Sequence, residues 1–446
     1  MGGDTADIGL GDGRALAAHP LRAQVLAELH ARPFLPATTP RRFLHVGFLT
    51  DPLHPQAARA GIEAFCTARG VPSPAEGAKH HRVELGGATL RWESHAEFST
   101  YTWDFPSAEP SAGTLPFFPP ATSLAGVLAE IAQPGPLLVA VDLHLVTDTA
   151  DDLQFNSLFD RASLARSDVN DGEAEIASDF KPDPAGFVRI LVRDRGLTPE
   201  AAGALVQRVL EIETYRLLAL LGLPEAQRLS PEIGRIEAQV ARLTEAMRHS
   251  EGLAANNRML DELVALSAEL EAGATASLFR FGASRAYEEI VRLRLVTIRE
   301  QAVPGFPTWQ RFLDRRMAPA MRTCLTVEQR QGHMSAKLAR AADLLRTRVD
   351  VEVEQQNRDL LASMNERTRL QLRLQRTVEG LSVAAISYYV ASLVHLLVEG
   401  LHEGGVDARL GIHLDPGLVT AISVPVAVLF VWSMVRRIRS AHSDED

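Results

Sequence analysis

Between Gly332 and Gly380 the chain contains neither glycine nor proline, so nothing local instructs a helix to stop. The intervening residues are mostly good helix formers, among them Ala341, Leu344, Leu345, Glu352, Gln355, Leu360 and Leu372. The character then changes: Leu381 to Val398 carries no formal charge, and a second uncharged run, Gly417 to Val435, follows a short polar link. Each run approaches the ~20 apolar residues that a bilayer crossing requires. A continuous helix from Met334 to Leu401 would be about 100 Å long at about 1.5 Å per residue, with part of it in lipid and the rest projecting as a stalk. A stalk of that length and mixed charge needs other helices to pack against. The expectation is a membrane protein with a large water-soluble part, anchored near its C-terminal end.

Basic residues set the expected orientation. Arg367, Arg369, Arg373 and Arg376 precede the first apolar run, and Arg436, Arg437 and Arg439 follow the second. The link HEGGVDARLGIHLD holds one arginine against three acids. The positive-inside rule then puts both flanks in the cytoplasm and the link outside, so the chain is expected to cross the cell membrane twice with both termini cytoplasmic. The N-terminal MGGDTADIGLGDGRALAA has no basic start and no apolar core, and is expected to be a disordered tail rather than a signal peptide.

With 446 residues the chain can hold two or three domains, and its formal charge of −10 argues against nucleic acid as a partner. Two cysteines, Cys66 and Cys324, stand far apart without zinc spacing, which reads as reduced thiols. His19 to Ala31 reads as a short amphipathic helix. Short apolar or alternating runs follow at Phe43–Leu49, Arg82–Leu85, Thr89–Asp104, Leu137–Leu145 and Gly186–Val192, and these predict strands. Gly86-Gly87 predicts a tight hairpin turn, while Pro55–Arg69 and Ser123–Ala132 predict covering helices. Ser163–Phe180 is polar enough to be either strand or loop.

From Thr198 the pattern is helical. Thr198-Pro199-Glu200 is a helix start, and Gly222-Leu223-Pro224 predicts its end. Ser230-Pro231-Glu232 predicts the next start, with Ile233, Ile236, Val240, Leu243 and Met247 at coiled-coil spacing. After a break near Ser250–Asn257, Leu260, Leu263, Leu266 and Leu270 resume that spacing, and a helical hairpin with Leu278–Ile298 is expected. Pro304-Gly305-Phe306-Pro307 marks a turn before a helix at Trp309–Cys324. The reading is therefore α+β: a tail at 1–18, a mixed, largely antiparallel sheet domain at 19–195, and a helical coiled-coil region at 196–330. A stalk at 334–377 leads to a two-helix transmembrane hairpin, with spans at 378–401 and 417–435, the link at 402–416 between them and a tail at 436–446.

Three sets of residues are candidates for chemistry. Tyr388, Ser392, His395 and Glu399 are spaced four, three and four, so they share one helix face. Polar groups at that depth either line a water-filled path in an oligomer or hydrogen-bond to a neighbouring helix. The seven arginines flanking the spans are either topology signals or contacts to anionic headgroups or a pore mouth. In RWESHAEFSTYTWDF, read as one strand, Glu93, His95 and Glu97 share a face with Arg91. They either gather a divalent cation, with Glu28 or His30 as a further ligand, or pair with Arg91 and Arg32 in a polar network. There is no phosphate loop, no nucleophile elbow, no HExxH and no dinucleotide fingerprint, so the chain is not expected to be an enzyme or to carry a cofactor.

HPLRAQVLAELHARPF, WESHAEFSTYTW, LEIETYRLLALLGLP and QNRDLLASMNERTRLQLRLQRTVEGLSVAAISYY together resemble one bacterial family, domain of unknown function 3422, described as predicted membrane-anchored protein. That resemblance covers nearly the whole chain and implies membrane anchoring. The build, a soluble domain followed by a stalk helix running into the first of two spans, is similar to CorA-type divalent-cation transporters. Those are pentamers with Gly-Met-Asn at the outer end of the first span, where this chain reads VEGLHEGG; Glu399, His402 and Glu403 would be the cation-attracting ring there. Two readings stay open: a homo-oligomer of CorA-like build conducting divalent cations, and a membrane-tethered scaffold or binding protein that conducts nothing.

Overall fold

The structure, a computed structural model, describes residues 8–9, 15–22, 25–26, 34–51, 56–108, 116–117, 119–121, 125–148, 155–403 and 415–442. Most of the amphipathic segment expected at 19–31, with Glu28, His30 and Arg32, lies outside them, as does most of the link. Two compact units are present, one comprising 1–246 and 261–342, the other 247–260 and 343–446.

In the first unit, strands β1 (Arg41–Leu49), β2 (His80–Leu85), β3 (Ala88–Ser94), β4 (Phe98–Pro106), β5 (Leu137–Thr147), β6 (Ala165–Val169), β7 (Ala174–Ser178), β8 (Val188–Asp194) and β9 (Gln301–Ala302) form one sheet in the order β9-β6-β7-β8-β5-β1-β4-β3-β2. Only β8 and β5 pair in parallel; the other neighbours are antiparallel, giving the mixed, mainly antiparallel sheet expected. Gly86 and Gly87 both have positive φ, 64° and 112°, between paired Leu85 and Ala88, as a two-residue hairpin turn demands. The ambiguous Ser163–Phe180 is the β6–β7 hairpin, turned at Asn170 to Gly172.

Thr89–Asp104, read as a single strand, is instead β3 and β4 with a turn at residues 95–97. Ser94 pairs with Ser99, Glu93 with Thr100 and Arg91 with Thr102. Fifteen or so residues in one strand would exceed the usual 3–10, and folding back lets both halves bury apolar faces. Trp92, Tyr101 and Trp103 thereby join Leu44, Ile62 and Phe65 in a core under helix α1 (Ala57–Arg69). The opposite face carries Phe43, Val141, Leu143, Ile190 and Val192, which pack against helix α2 (Pro199–Leu220).

The Thr198 hydroxyl caps α2 by accepting from Ala201 N at 3.2 Å, with Pro199 next to it. Gly203 lies where the carbonyl of Leu35 crosses the helix, only 1.8 Å from where a Cβ would stand. The next helix, α3 (Gly222–His249), begins earlier than predicted and runs through Pro231. Ala226 and Leu229, both buried ahead of that proline, hold the helix, since packing overrides propensity. Helix α4 (Leu253–Thr297) is one element of 45 residues, not the hairpin expected at Leu278, because neither Gly273 nor Gly282 comes with a second turn signal.

Helix α5 (Trp309–Glu403) likewise passes Pro319 and Gly332 and unites two helices that were expected to be separate. Its first turn is fastened: Trp309 N donates to Ser167 Oγ at 3.0 Å and Gln310 N to Glu300 Oε1 at 2.8 Å. Phe312, Leu313, Met317 and Met321 then enter the same core as β5 and β8, so the helical region and the sheet share one interior. Near the N-terminus Ile8–Gly9 pairs with Ala15–Leu16, where the sequence predicted a disordered tail; Ile8 faces Leu16 across that pair.

In the second unit, α5 and α6 (Pro416–His442) are each long and apolar enough to cross a membrane. Their large apolar side chains point outward, Leu381 at 73 % and Leu393 at 66 % exposure. Small and β-branched residues, Ala391, Val398, Ala427 and Val431, are buried.

Candidate functional site

Among the described residues of the first unit two polar clusters sit on opposite faces of the sheet, and a cavity opens at one of them. The closed cluster lies beneath Phe117. Arg42 grips Asp142 with two hydrogen bonds, Nε to Oδ1 at 2.9 Å and Nη2 to Oδ2 at 2.7 Å, and donates a third to the Pro119 carbonyl at 2.7 Å. Phe117 N donates to His144 Nε2 at 3.3 Å. That nitrogen therefore bears no proton, and burial together with the Arg42 charge pulls the His144 pKa down to about 3. Further along the same face, Glu175 is shared by Arg166, Arg193 and Arg195, and Arg195 also meets Asp148 and Asp168.

The open cluster lies between β1, β3 and β4 and the overlying α2, around a cavity of about 230 Å³. His45, Thr102 and Arg91 stand in register across three strands, with Thr100 and Glu93 in the next row. At the centre His45 is fully tied. Thr214 spends its hydroxyl proton on Leu210 O at 2.8 Å, so at 2.9 Å it can only accept from His45 Nε2. Nδ1 must then accept from the Thr102 hydroxyl at 2.8 Å. This single neutral tautomer agrees with a pKa lowered to about 3, chiefly by burial and then by the Arg91 charge. Glu93 lies 3.3 Å from Arg91 and 3.8 Å from His95. Arg294 pairs with Glu211 on the helical wall. The wall thus presents two guanidiniums and two carboxylates. A smaller apolar recess, lined by Phe43, Ala37, Gly203 and Val206, adjoins it past Arg91.

The β3–β4 turn closes one end. His95 stacks on Phe98 with ring centroids 4.0 Å apart, and Phe98 meets Tyr215 and Tyr287 edge-on. Glu97 turns away from the cavity to take a two-pronged bond from Arg280 of α4, 2.6 and 3.3 Å. The Tyr287 hydroxyl is pushed well above its ordinary pKa by burial and by its bond to Glu97. The three residues singled out as a metal set are therefore divided, Glu93 and His95 on the cavity and Glu97 on Arg280. Among the described residues no group of three His, Cys, Asp or Glu is placed to hold a metal ion. Sequence patterning does not point to His45 or Thr214; the one available signal is a histidine in phase with Phe43 within the apolar run Phe43–Leu49.

In the second unit Tyr388, Ser392, His395 and Glu399 lie on the single helix α5. His395 Nδ1 is 2.8 Å from Thr420 Oγ1 of α6 and Nε2 is 3.8 Å from Glu399, whereas Tyr388 is exposed and stacks edge-on with Tyr389. Ser392 is half-buried. Arg367, Arg369, Arg373 and Arg376 are exposed on α5, as are Arg436 and Arg437 on α6. Arg439 belongs to α6, but its side chain and that of His402 lie outside the described residues.

The family model described as "Protein of unknown function (DUF3422)" matches residues 17–442. No curated protein matches the chain.

Proposed function

The chain belongs to the DUF3422 family of proteins of unknown function, and from the geometry of its own residues we propose that it is a membrane-anchored binding protein. The α5–α6 hairpin holds it in the bacterial cell membrane with both termini cytoplasmic. The sheet unit captures a small molecule of mixed charge in the cleft under α2. The observation that carries this reading is the cleft itself: about 230 Å³ walled by Arg91, Arg294, Glu93 and Glu211 around a histidine with no free nitrogen. A balanced set of paired charges suits a ligand that carries both an anionic and a cationic group, and the recess beside Arg91 suits a short apolar substituent. With both nitrogens occupied, His45 orders the strands and moves no proton, which supports binding over catalysis.

Anchoring rests on two apolar helices whose large side chains face outward and whose half-exposed His395 imidazole is hydrogen-bonded to Thr420 within the hairpin. The bond from His395 to Thr420 favours this over a CorA-like conducting homo-oligomer, in which the Tyr388–Glu399 face would have to turn to an axis. Two measurements test the proposal. Full-length protein should float with lipid vesicles; a chain that stays in the aqueous fraction without detergent refutes the anchoring. In nanodiscs, a panel of amino acids, amines and short-chain zwitterions should include one that raises the melting temperature of the wild type and not of Arg91→Gln. If none does, the binding role is wrong. Divalent-cation flux through proteoliposomes, abolished by Glu399→Ala, would restore the conducting alternative.

A further inference from the structure

The second unit has an opening of its own, about 390 Å³, between α5 and α6 where the apolar runs give way to the arginines. Arg376, Glu379 and Gly380 line it from α5, and Trp432 and Arg436 from α6. At Gly380 the volume where a side chain would stand is empty, which leaves the mouth wide. The Arg436 guanidinium lies over the Trp432 ring, 5.3 Å from its centre. Two guanidiniums against one carboxylate give the opening a net charge of one positive unit. A tryptophan at the end of an apolar helix marks the headgroup level of a bilayer.

We infer that this opening seats the headgroup of an anionic phospholipid, specifically a monoanionic phosphodiester bearing free hydroxyls, such as a glycerol headgroup. Arg376 and Arg436 donate to the phosphate oxygens, where planar guanidinium geometry matches the anion. Glu379, which would repel a bare phosphate, instead accepts from a headgroup hydroxyl. Charge balance then holds with one lipid bound. A choline headgroup gains less: it brings no net charge, and the Trp432 face that would attract its cation is already covered by Arg436. Basic pockets between membrane helices on the cytoplasmic side recognise anionic lipids by this chemistry. The inference rests on the anchoring reading above.

The test reads the tryptophan fluorescence of full-length protein in vesicles in which either the phosphatidylglycerol or the phosphatidylcholine carries brominated acyl chains. Trp92, Trp103 and Trp309 are buried in the sheet unit, so the quenchable signal belongs to Trp432 and should vanish in Trp432→Phe. At equal mole fractions the brominated glycerol lipid should quench more strongly. The preference should drop by about fivefold for each of Arg376→Gln and Arg436→Gln. Equal quenching by the two lipids overturns the headgroup site and leaves the anchoring intact, whereas no quenching by either overturns the anchoring. A preference erased by millimolar glycerol phosphate overturns the lipid assignment in favour of a free phosphate ester.

Discussion

The sheet carries a buried histidine and an arginine–carboxylate pairing on each face, yet the two faces are built to different ends. Beneath Phe117, Arg42 and Asp142 pair through two hydrogen bonds and His144 accepts from the Phe117 amide. Phe117 itself is held at φ 71°, where a non-glycine residue is strained. Beneath α2, His45 is equally satisfied, but Arg91 and Glu93 stand around it over open volume. The chemistry of the residues is the same; what differs is how closely the covering element comes down. A loop can settle onto a charge pair, whereas the rigid helix α2 leaves a cavity lined by Leu210 and Thr214 over the sheet. Polar groups that close on each other stabilise, and polar groups held apart by a rigid scaffold are free to receive something else.

The sharpest way to break this contrast is at its closed end. Asp142→Ala leaves the Arg42 guanidinium buried with only the Pro119 carbonyl. Removing one partner of such a pair costs about 3–5 kcal/mol, which urea unfolding of the intact protein should register. A loss below about 1 kcal/mol would mean that the cluster is no more closed than the cleft.

A second, smaller effect belongs to both faces. His45 and His144 each have a folded pKa near 3, below the unfolded value of about 6.5. Between those limits the two rings bind more protons in the unfolded chain, so their contribution to stability rises with pH across the window. It is fully present above about pH 6.5 and is lost as the pH falls toward 3, by about 1 kcal/mol per pH unit for each histidine. Replacing His144 by Phe should remove roughly half of the slope. A slope between about pH 6.5 and about 4.5 unchanged by His144→Phe would show that this ring is not held neutral.

Much of this architecture is legible in the chain, and the rest is hidden for identifiable reasons. Thr198-Pro199-Glu200 announces α2, and Gly86-Gly87 announces its turn, because capping and positive φ are local demands. The turn at residues 95–97 has neither glycine nor proline to mark it; strand length, and the shift of the apolar phase from Trp92 to Tyr101 and Trp103, could have exposed it. Pro231 reads as a helix start, yet it sits inside α3 with Leu229 and Ile233 buried on either side. The cleft was half visible. Glu93 and His95 declare themselves by type, but His45 meets Thr214 across 169 positions, and no pattern confined to one segment could join them.

Within the open cluster, Thr214→Val removes the acceptor of the His45 Nε2 proton while keeping the shape of the side chain. A buried donor left unmet costs about 1–3 kcal/mol, and the tautomer loses its reason. The ring can then release Nε2 and protonate at Nδ1, so ¹⁵N chemical shifts of the imidazole should move toward a mixture of tautomers. An unchanged spectrum would place the origin of the tautomer elsewhere.

The smallest effect on stability is the most informative about purpose. Arg91→Gln removes a guanidinium that is paired with Glu93 yet borders open volume, its side chain still 18 % exposed. Water can take over for the lost partner, so unfolding should shift by no more than about 1 kcal/mol. Arg91 also lies close enough to His45 to depress its pKa, and the substitution should therefore raise that pKa and narrow the acid-labile window. A residue that costs so little to lose, placed where two cavities meet, contributes to something other than the fold. Were Arg91→Gln to destabilise the protein as strongly as Asp142→Ala, the cleft would be another structural pair and the difference between the two faces would disappear.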